Sequence, residues 1–222
     1  MDLSALTGLL KDALPLMLKG AAWTLLLAIA SVFFGAIIGT LVAITRLARV
    51  PVLSQFAALY VSCMRGTPLL VQLFVIYFGL PSIGLQFDPI TAGILGLSLN
   101  VGAYLSETIR GAINGVAYGQ RIAALSLGLT QSQALRYVIG PQALRLAVPS
   151  LSNSLISLIK DTSLVSVIAV GELMLATKEV IATTFQPFPL YLAAAAIYWG
   201  MSASFETLQK KLETRLNRSY LR

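Results

Sequence analysis

Histidine is absent from this chain, cysteine occurs once, and charged residues make up only 11% of 222 positions. Without histidine, the commonest metal ligand and general base are missing. Cys63 alone can form neither an internal disulfide nor a thiol cluster, so it reads as a small packing residue. No apolar stretch carries paired carboxylates, which leaves an enzyme working inside a membrane without the usual acid–base set. The shortage of charge has a counterpart in an apolar fraction of 57% and a mean hydropathy of +0.81. Soluble domains hold roughly 45–50% apolar and about 25% charged residues. A chain this short must still show a large surface, so the surplus has lipid as its solvent. A soluble enzyme, a disordered protein and a disulfide scaffold are all disfavoured.

The charges that are present give a net +7. A basic balance suits nucleic acid or an anionic membrane surface, and placement favours the membrane. Residues 13–45 hold only Lys19, residues 66–106 only Asp88, and residues 146–159 and 180–205 no charge. The basic residues cluster between and after these stretches rather than along one polar face. Nucleic acid is therefore not an expected partner; membrane lipid is.

A spanning helix needs about 20 mainly apolar residues. The pattern predicts an all-α integral membrane protein forming a single domain over residues 1–222, with about five transmembrane helices at 14–47, 54–80, 90–113, 138–159 and 188–208. A sixth arises if residues 162–175 also enter the bilayer. Residues 1–14 read as an amphipathic segment at the interface, 114–137 as a central loop, and 209–222 as a basic tail. The positive-inside rule places the N-terminus outside and the central loop and tail in the cytoplasm. Arg46, Arg49, Arg110, Arg121 and Arg136 lie on the inner side with the five basic residues of the tail. Gly35 and Gly39 form a small-xxx-small pair, equally suited to packing within one subunit or to a dimer contact.

The central loop, reading GQRIAALSLGLTQSQALRYVIGPQ over residues 119–142, is too polar for lipid and too regular for a linker. Ala123, Ala124, Leu127 and Leu129 give a short helix an apolar side, Gly128 can end it, and Gln131 to Gln133 begin the next. Such a helix held between two spans can press on a soluble partner, or it can be a plain connection.

Here the chain resembles the permease subunits of ABC importers for polar amino acids. Ala123, Ala124, Gly128 and Pro141 fall at the spacing of that family's cytoplasmic loop motif. Ile122 stands where the family usually has Glu, and Val138 and Gly140 replace its Ile and Leu. The run RGTPLLVQ from Arg65 to Gln72 resembles the family's second-span motif. GLSLN from Gly96 to Asn100, with Tyr104, Glu107, Thr108 and Arg110, resembles its third. LSNSLISLIKDTSL over residues 151–164 resembles its fourth. The similarity is strongest to permeases for cystine and related polar amino acids.

The resemblance implies a transport subunit of a bacterial cytoplasmic membrane, not an enzyme. It pairs with a second permease (the same chain or a sister), two ATP-binding subunits and an extracytoplasmic amino-acid-binding protein. This chain has no G-x-x-x-x-G-K-[ST] run to cradle phosphates, so ATP and magnesium belong to the partner ATPase and no cofactor is expected here. Arg121, Ile122, Ala123, Ala124, Leu127 and Gly128 would form the coupling helix between spans three and four.

Polar side chains inside a span tend to face a cavity or another helix. Asn100, Tyr104 and Glu107 share one helical face, and Asn153, Ser157 and Lys160 or Asp161 repeat the spacing. Thr67, Pro68 and Gln72 form a third cluster, where Pro68 frees a backbone carbonyl. Thr67, Gln72, Ser98, Asn100, Asn153, Ser157 and Asp161 are the candidate substrate residues, since amides offer a zwitterion donors and acceptors together. Interhelical hydrogen bonding is the competing role for each. Glu107 with Arg110 reads as a structural pair. A stand-alone channel or secondary transporter remains the rival function, though no internal repeat or carboxylate relay supports it. An assembly subunit without a path of its own is the other.

Overall fold

The computed structural model describes residues 3–218, and it is helical with no strand among them. Residues 1–2 of the expected interfacial segment and 219–222 of the tail lie outside the described residues. Helix α1, Leu3–Leu47, runs unbroken from that segment into the first apolar run. Its 45 residues extend about 68 Å, against a hydrocarbon core of about 30 Å. Helix α4, Pro89–Gly115, lies along α1 as the central element and packs on its other side against α7, Gly140–Asp161. Asp88 starts α4: its carboxylate accepts from the backbone N–H groups of Ile90 and Thr91 at 3.0 and 3.1 Å.

The α1–α4 contact is made by glycines. A Cβ on Gly35 would sit 2.4 Å from Val101 Cγ1, and one on Gly39 would sit 2.8 Å from the Gly102 carbonyl oxygen. The small-residue pair therefore serves packing inside the chain. Around it Leu27, Leu97, Val101, Leu105, Leu158 and Val165 form the main apolar core. A second core joins the first half of α1 to helices α8, Leu173–Thr184, and α9, Pro187–Arg218, through Met17, Ala21, Leu173 and Leu190. The outward face of α1 carries Ile29, Phe33 and Leu41, all more than half exposed, as a lipid-facing surface does.

The expected second span is not one straight helix. It divides into α2, Pro51–Gly66, and α3, Leu69–Phe74, which continues through a π turn and a 3₁₀ turn to Ile83. The two halves meet at 109°. The cause is local: Thr67, preceding a proline, takes an extended conformation (φ −119°, ψ 147°), and Pro68 follows at ψ 136°. By length and apolarity two helices can cross a membrane, Leu6–Leu47 and Pro89–Gly115, or three if the bent pair is one span. The fourth and fifth expected spans fall on α7 and α9, which are long enough but less apolar. Residues 162–175 form no single continuous helix: they divide between the 3₁₀ turn Thr162–Ile168 and the start of α8, broken by a left-handed Ala169.

The central loop folds as two short helices, α5, Tyr118–Ser126, and α6, Gln131–Ala134. Gly128, at φ +82°, ends α5: Leu129 N–H bonds the Ala124 carbonyl at 3.2 Å and Gly128 N–H that of Leu125 at 3.0 Å. Thr130 and Gln133 then close a reciprocal cap on α6. From α6 the chain winds through a π turn, Leu135–Ile139, directly into α7.

Candidate functional site

A cavity of about 550 Å³ opens where the α2–α3 break faces α4 and α7. Its polar lining is Thr67, Asn100, Tyr104, Asn153, Ser154, Ser157 and Asp161, with Pro68, Leu69, Val101 and Leu158 between them. Five of the seven candidate substrate residues thus share one wall system: Thr67, Asn100, Asn153, Ser157 and Asp161. The i, i+4, i+8 spacing of the last three aligns them on one face of α7. Tyr104, one turn from Asn100, joins them, and the Arg65 guanidinium stacks 5.3 Å from its ring centre.

Gln72 and Ser98 do not line the cavity. Gln72 is 8% exposed and works behind it. Its Nε2 donates to the carbonyls of Met64 and Thr67 at 2.9 and 3.1 Å and to Thr67 Oγ1 at 2.9 Å. Asn100 Nδ2 donates to the Met64 carbonyl at 3.2 Å and to Gln72 Oε1 at 3.0 Å. The carbonyl that Pro68 frees is therefore taken by the chain's own amides and is not left for a ligand. Gly66, Thr67 and Pro68 at the break are exposed, and these bonds satisfy the helix-end carbonyls from within the chain. Ser98, two residues from Asn100, points elsewhere on α4, with its backbone carbonyl against α1 at Gly35. Its hydroxyl has no partner among the described residues.

These bonds decide what each amide can still offer. Both hydrogens of Asn100 Nδ2 are used, so Asn100 presents Oδ1, an acceptor, to the cavity. Asn153 is the complement: its Oδ1 accepts from Gln209 Nε2 at 3.3 Å, which leaves its NH2 to donate. Asp161 has no ion pair with Lys160 or with any other cation among the described residues. The cavity thus holds an acceptor set, Asn100 and Asp161, and a donor set, Asn153 and Ser157. An ammonium fits the first and a carboxylate the second.

Glu107, expected on the Asn100 face, stays out of the cavity. It pairs with Arg110 at 2.6 Å, as the spacing suggested, and also with Arg46 of α1. Sequence reading missed Glu172 entirely. It is fully buried, accepting from Tyr198 OH at 2.6 Å, Thr24 Oγ1 at 3.3 Å and Leu175 N–H at 2.9 Å. This network joins α1, α8 and α9, and a carboxylate adjoining long apolar runs was its one sequence signal.

Of the loop residues, Ala124 is buried where α5 packs on α6 and the π turn after it, while Ile122 is 48% and Leu127 83% exposed. Together with Tyr118 they leave an unpartnered apolar knob on α5. Arg121 turns instead toward a second cavity bordered by the ends of α1 and α4.

Residues 35–218 match the model of a family described as binding-protein-dependent transport system inner membrane component. The probable amino-acid ABC transporter permease protein PatM of Vibrio harveyi is 42% identical over 95% of this chain and 96% of its own length. The L-cystine transport system permease protein TcyB of Bacillus subtilis is 42% identical over 92% and 88%. A solved amino acid ABC transporter, crystallised with histidines, superposes with a TM-score of 0.91 at 36% identity, covering 97% of this chain and 99% of that one.

Proposed function

The chain belongs to the binding-protein-dependent transport system inner membrane components, and from this premise we propose that it forms one half of the translocation path of an ATP-driven amino-acid importer. It is a permease of the amino-acid ABC transporter class, a transport subunit with a type I importer fold. The substrate site is the cavity between the α2–α3 break, α4 and α7, and the observation that carries it is the paired acceptor and donor sets. The ammonium of a dipolar amino acid rests on Asn100 Oδ1 and Asp161, and its carboxylate on Asn153 and Ser157. Thr67 lines the cavity beside them, and Gln72 holds Thr67 and Asn100 in place. With one carboxylate in the lining, a neutral or dipolar cargo such as cystine suits the site better than a strongly cationic one.

The partners follow from what a half-path needs: a second permease, two ATP-binding subunits and an extracytoplasmic binding protein. In this arrangement α5 faces the cytoplasm, the N-terminus is outside, and α7 and α9 complete five spans. The apolar knob at Tyr118, Ile122 and Leu127 seats in an ATPase cleft, where Ile122 supplies apolar contact in place of a carboxylate. The direct run from α6 into α7 then transmits ATPase closure to the helix bearing Asn153, Ser157 and Asp161.

Reconstitution with the cognate ATPase and binding protein tests this, with individual amino acids screened for stimulated ATP hydrolysis. One or a few polar amino acids should stimulate, and Asn100→Ala and Asn153→Ala should abolish the response at normal expression. Normal uptake by both variants would remove the proposed site, and no stimulation by any amino acid in a fully assembled complex would remove the substrate class. Uptake persisting without an ATPase would favour the channel reading.

A further inference from the structure

A second cavity, about 840 Å³, lies at the α5 end of the bundle, away from the substrate cavity. Its lining brings together Arg46, Arg49, Arg110 and Arg121 and holds no carboxylate. Behind the wall, Glu107 pairs with Arg46 and Arg110, so one negative charge offsets four positive ones. Arg49 and Arg121 have no ion-pair partner among the described residues. Arg49 stands in the short turn between α1 and α2 at φ +51°, and Arg121 comes from α5. Three segments, the α1–α2 junction, α4 and α5, thus converge their cations on one hollow.

We propose that this cavity binds a phosphate-bearing anion, the headgroup of an anionic phospholipid being the source its shape fits. Clustered guanidinium groups repel one another unless an anion lies between them, and their planar donor forks match phosphate oxygens. The same lining carries Ile44, Leu47, Ala58 and Ile113, a wall that suits an acyl chain and would have no use for free phosphate. Basic pockets between helices at the cytoplasmic leaflet are the places where such headgroups bind. Bound there, the lipid would join the α1–α2 turn to α5 and so hold the loop that faces the motor.

Native mass spectrometry of the full chain in mild detergent, offered equal amounts of phosphatidylglycerol and phosphatidylcholine, tests this. Wild type should retain phosphatidylglycerol preferentially. Arg49→Gln and Arg121→Gln should each lower retention about fivefold, the effect of one basic residue at an anionic surface. Arg49→Lys should retain it, and Lys11→Gln, with the same charge change elsewhere on α1, should have no effect. A second arm adds inorganic phosphate: binding that Arg49→Gln abolishes, without preference between the lipids, would assign the same anion site to soluble phosphate. Equal retention of both lipids with no phosphate binding, or phosphatidylglycerol retention unaltered by both arginine variants, would overturn the proposal. None of these readings depends on transport, so they stand or fall separately from the substrate assignment.

Discussion

Replacing Gly39 with alanine inserts a methyl group where α1 and α4 meet backbone to backbone. The new Cβ would lie 2.8 Å from the Gly102 carbonyl oxygen, 2.9 Å from Leu105 Cβ and 3.1 Å from Ser106 N. Two of these three are main-chain atoms, so no side chain can swing aside. The helices must separate by roughly 0.5 Å to restore ordinary contact distances. Overpacking of this kind costs about 1–3 kcal/mol, reduced by the roughly 1 kcal/mol that alanine gains over glycine as a helix former. Gly111→Ala, on α4 with nothing within 4 Å of its Cβ, keeps the gain without the clash. The gain is common to both variants and cancels, so they should differ by the overpacking cost, about 1–3 kcal/mol. At about 2–4 °C per kcal/mol for a chain of this size, that is roughly 2–12 °C in the unfolding midpoint. Thermal unfolding of the purified chain in detergent reads it directly. Equal midpoints for the two variants would refute the close approach, and with it the assignment of Gly35 and Gly39 to internal packing.

Glu172→Ala should strand the Tyr198 and Thr24 hydroxyls and the Leu175 N–H, each stranded donor costing about 1–3 kcal/mol; chemical denaturation of Glu172→Ala and of the milder Tyr198→Phe measures this. Asp88 has its carboxyl held below its usual value of 3.8, by hydrogen bonding to the Thr91 side chain first and then to backbone amides. The folded form is thus favoured by the ionised acid, a stabilisation complete above pH 3.8 and lost as pH falls toward the lowered value. Asp88→Ala should consequently unfold earlier than wild type at neutral pH, and the gap should close on acidification when melts are compared across pH. Gln72→Leu should raise the amino-acid concentration for half-maximal ATPase stimulation about tenfold, one hydrogen bond's worth of alignment. It should leave the maximal rate closer to wild type, because Gln72 orients Thr67 and Asn100 and lines no part of the cavity.

Much of the local structure could be read from the residues. Gly128 as the end of α5, the restart at Gln131 and the pairing of Glu107 with Arg110 are short-range matters, set by neighbours within one helical turn. The helical face shared by Asn153, Ser157 and Asp161 was legible for the same reason. The second span was not, although Gly66-Thr67-Pro68 announced a break. The bend is local, at Thr67 and Pro68, but the donors that satisfy its freed carbonyls are not all local: they are Gln72 and, from another helix, Asn100. Gln72 therefore looked like a ligand residue and turned out to support others, while Ser98 followed its motif into the candidate set from the wrong face of α4.

The sequence by itself determined that the chain is helical, that its solvent is lipid, and where the short helices of the central loop stop and restart, because apolar run length, caps and glycines act locally. Only the tertiary structure decided which faces meet: that Gly39 rests on Gly102, that Glu172 is buried among three helices, and that four arginines share one cavity. Facing is a property of pairs of distant segments. No single helix carries the information, since the same polar face can serve a neighbour, a cavity or a ligand until the opposing element is in place.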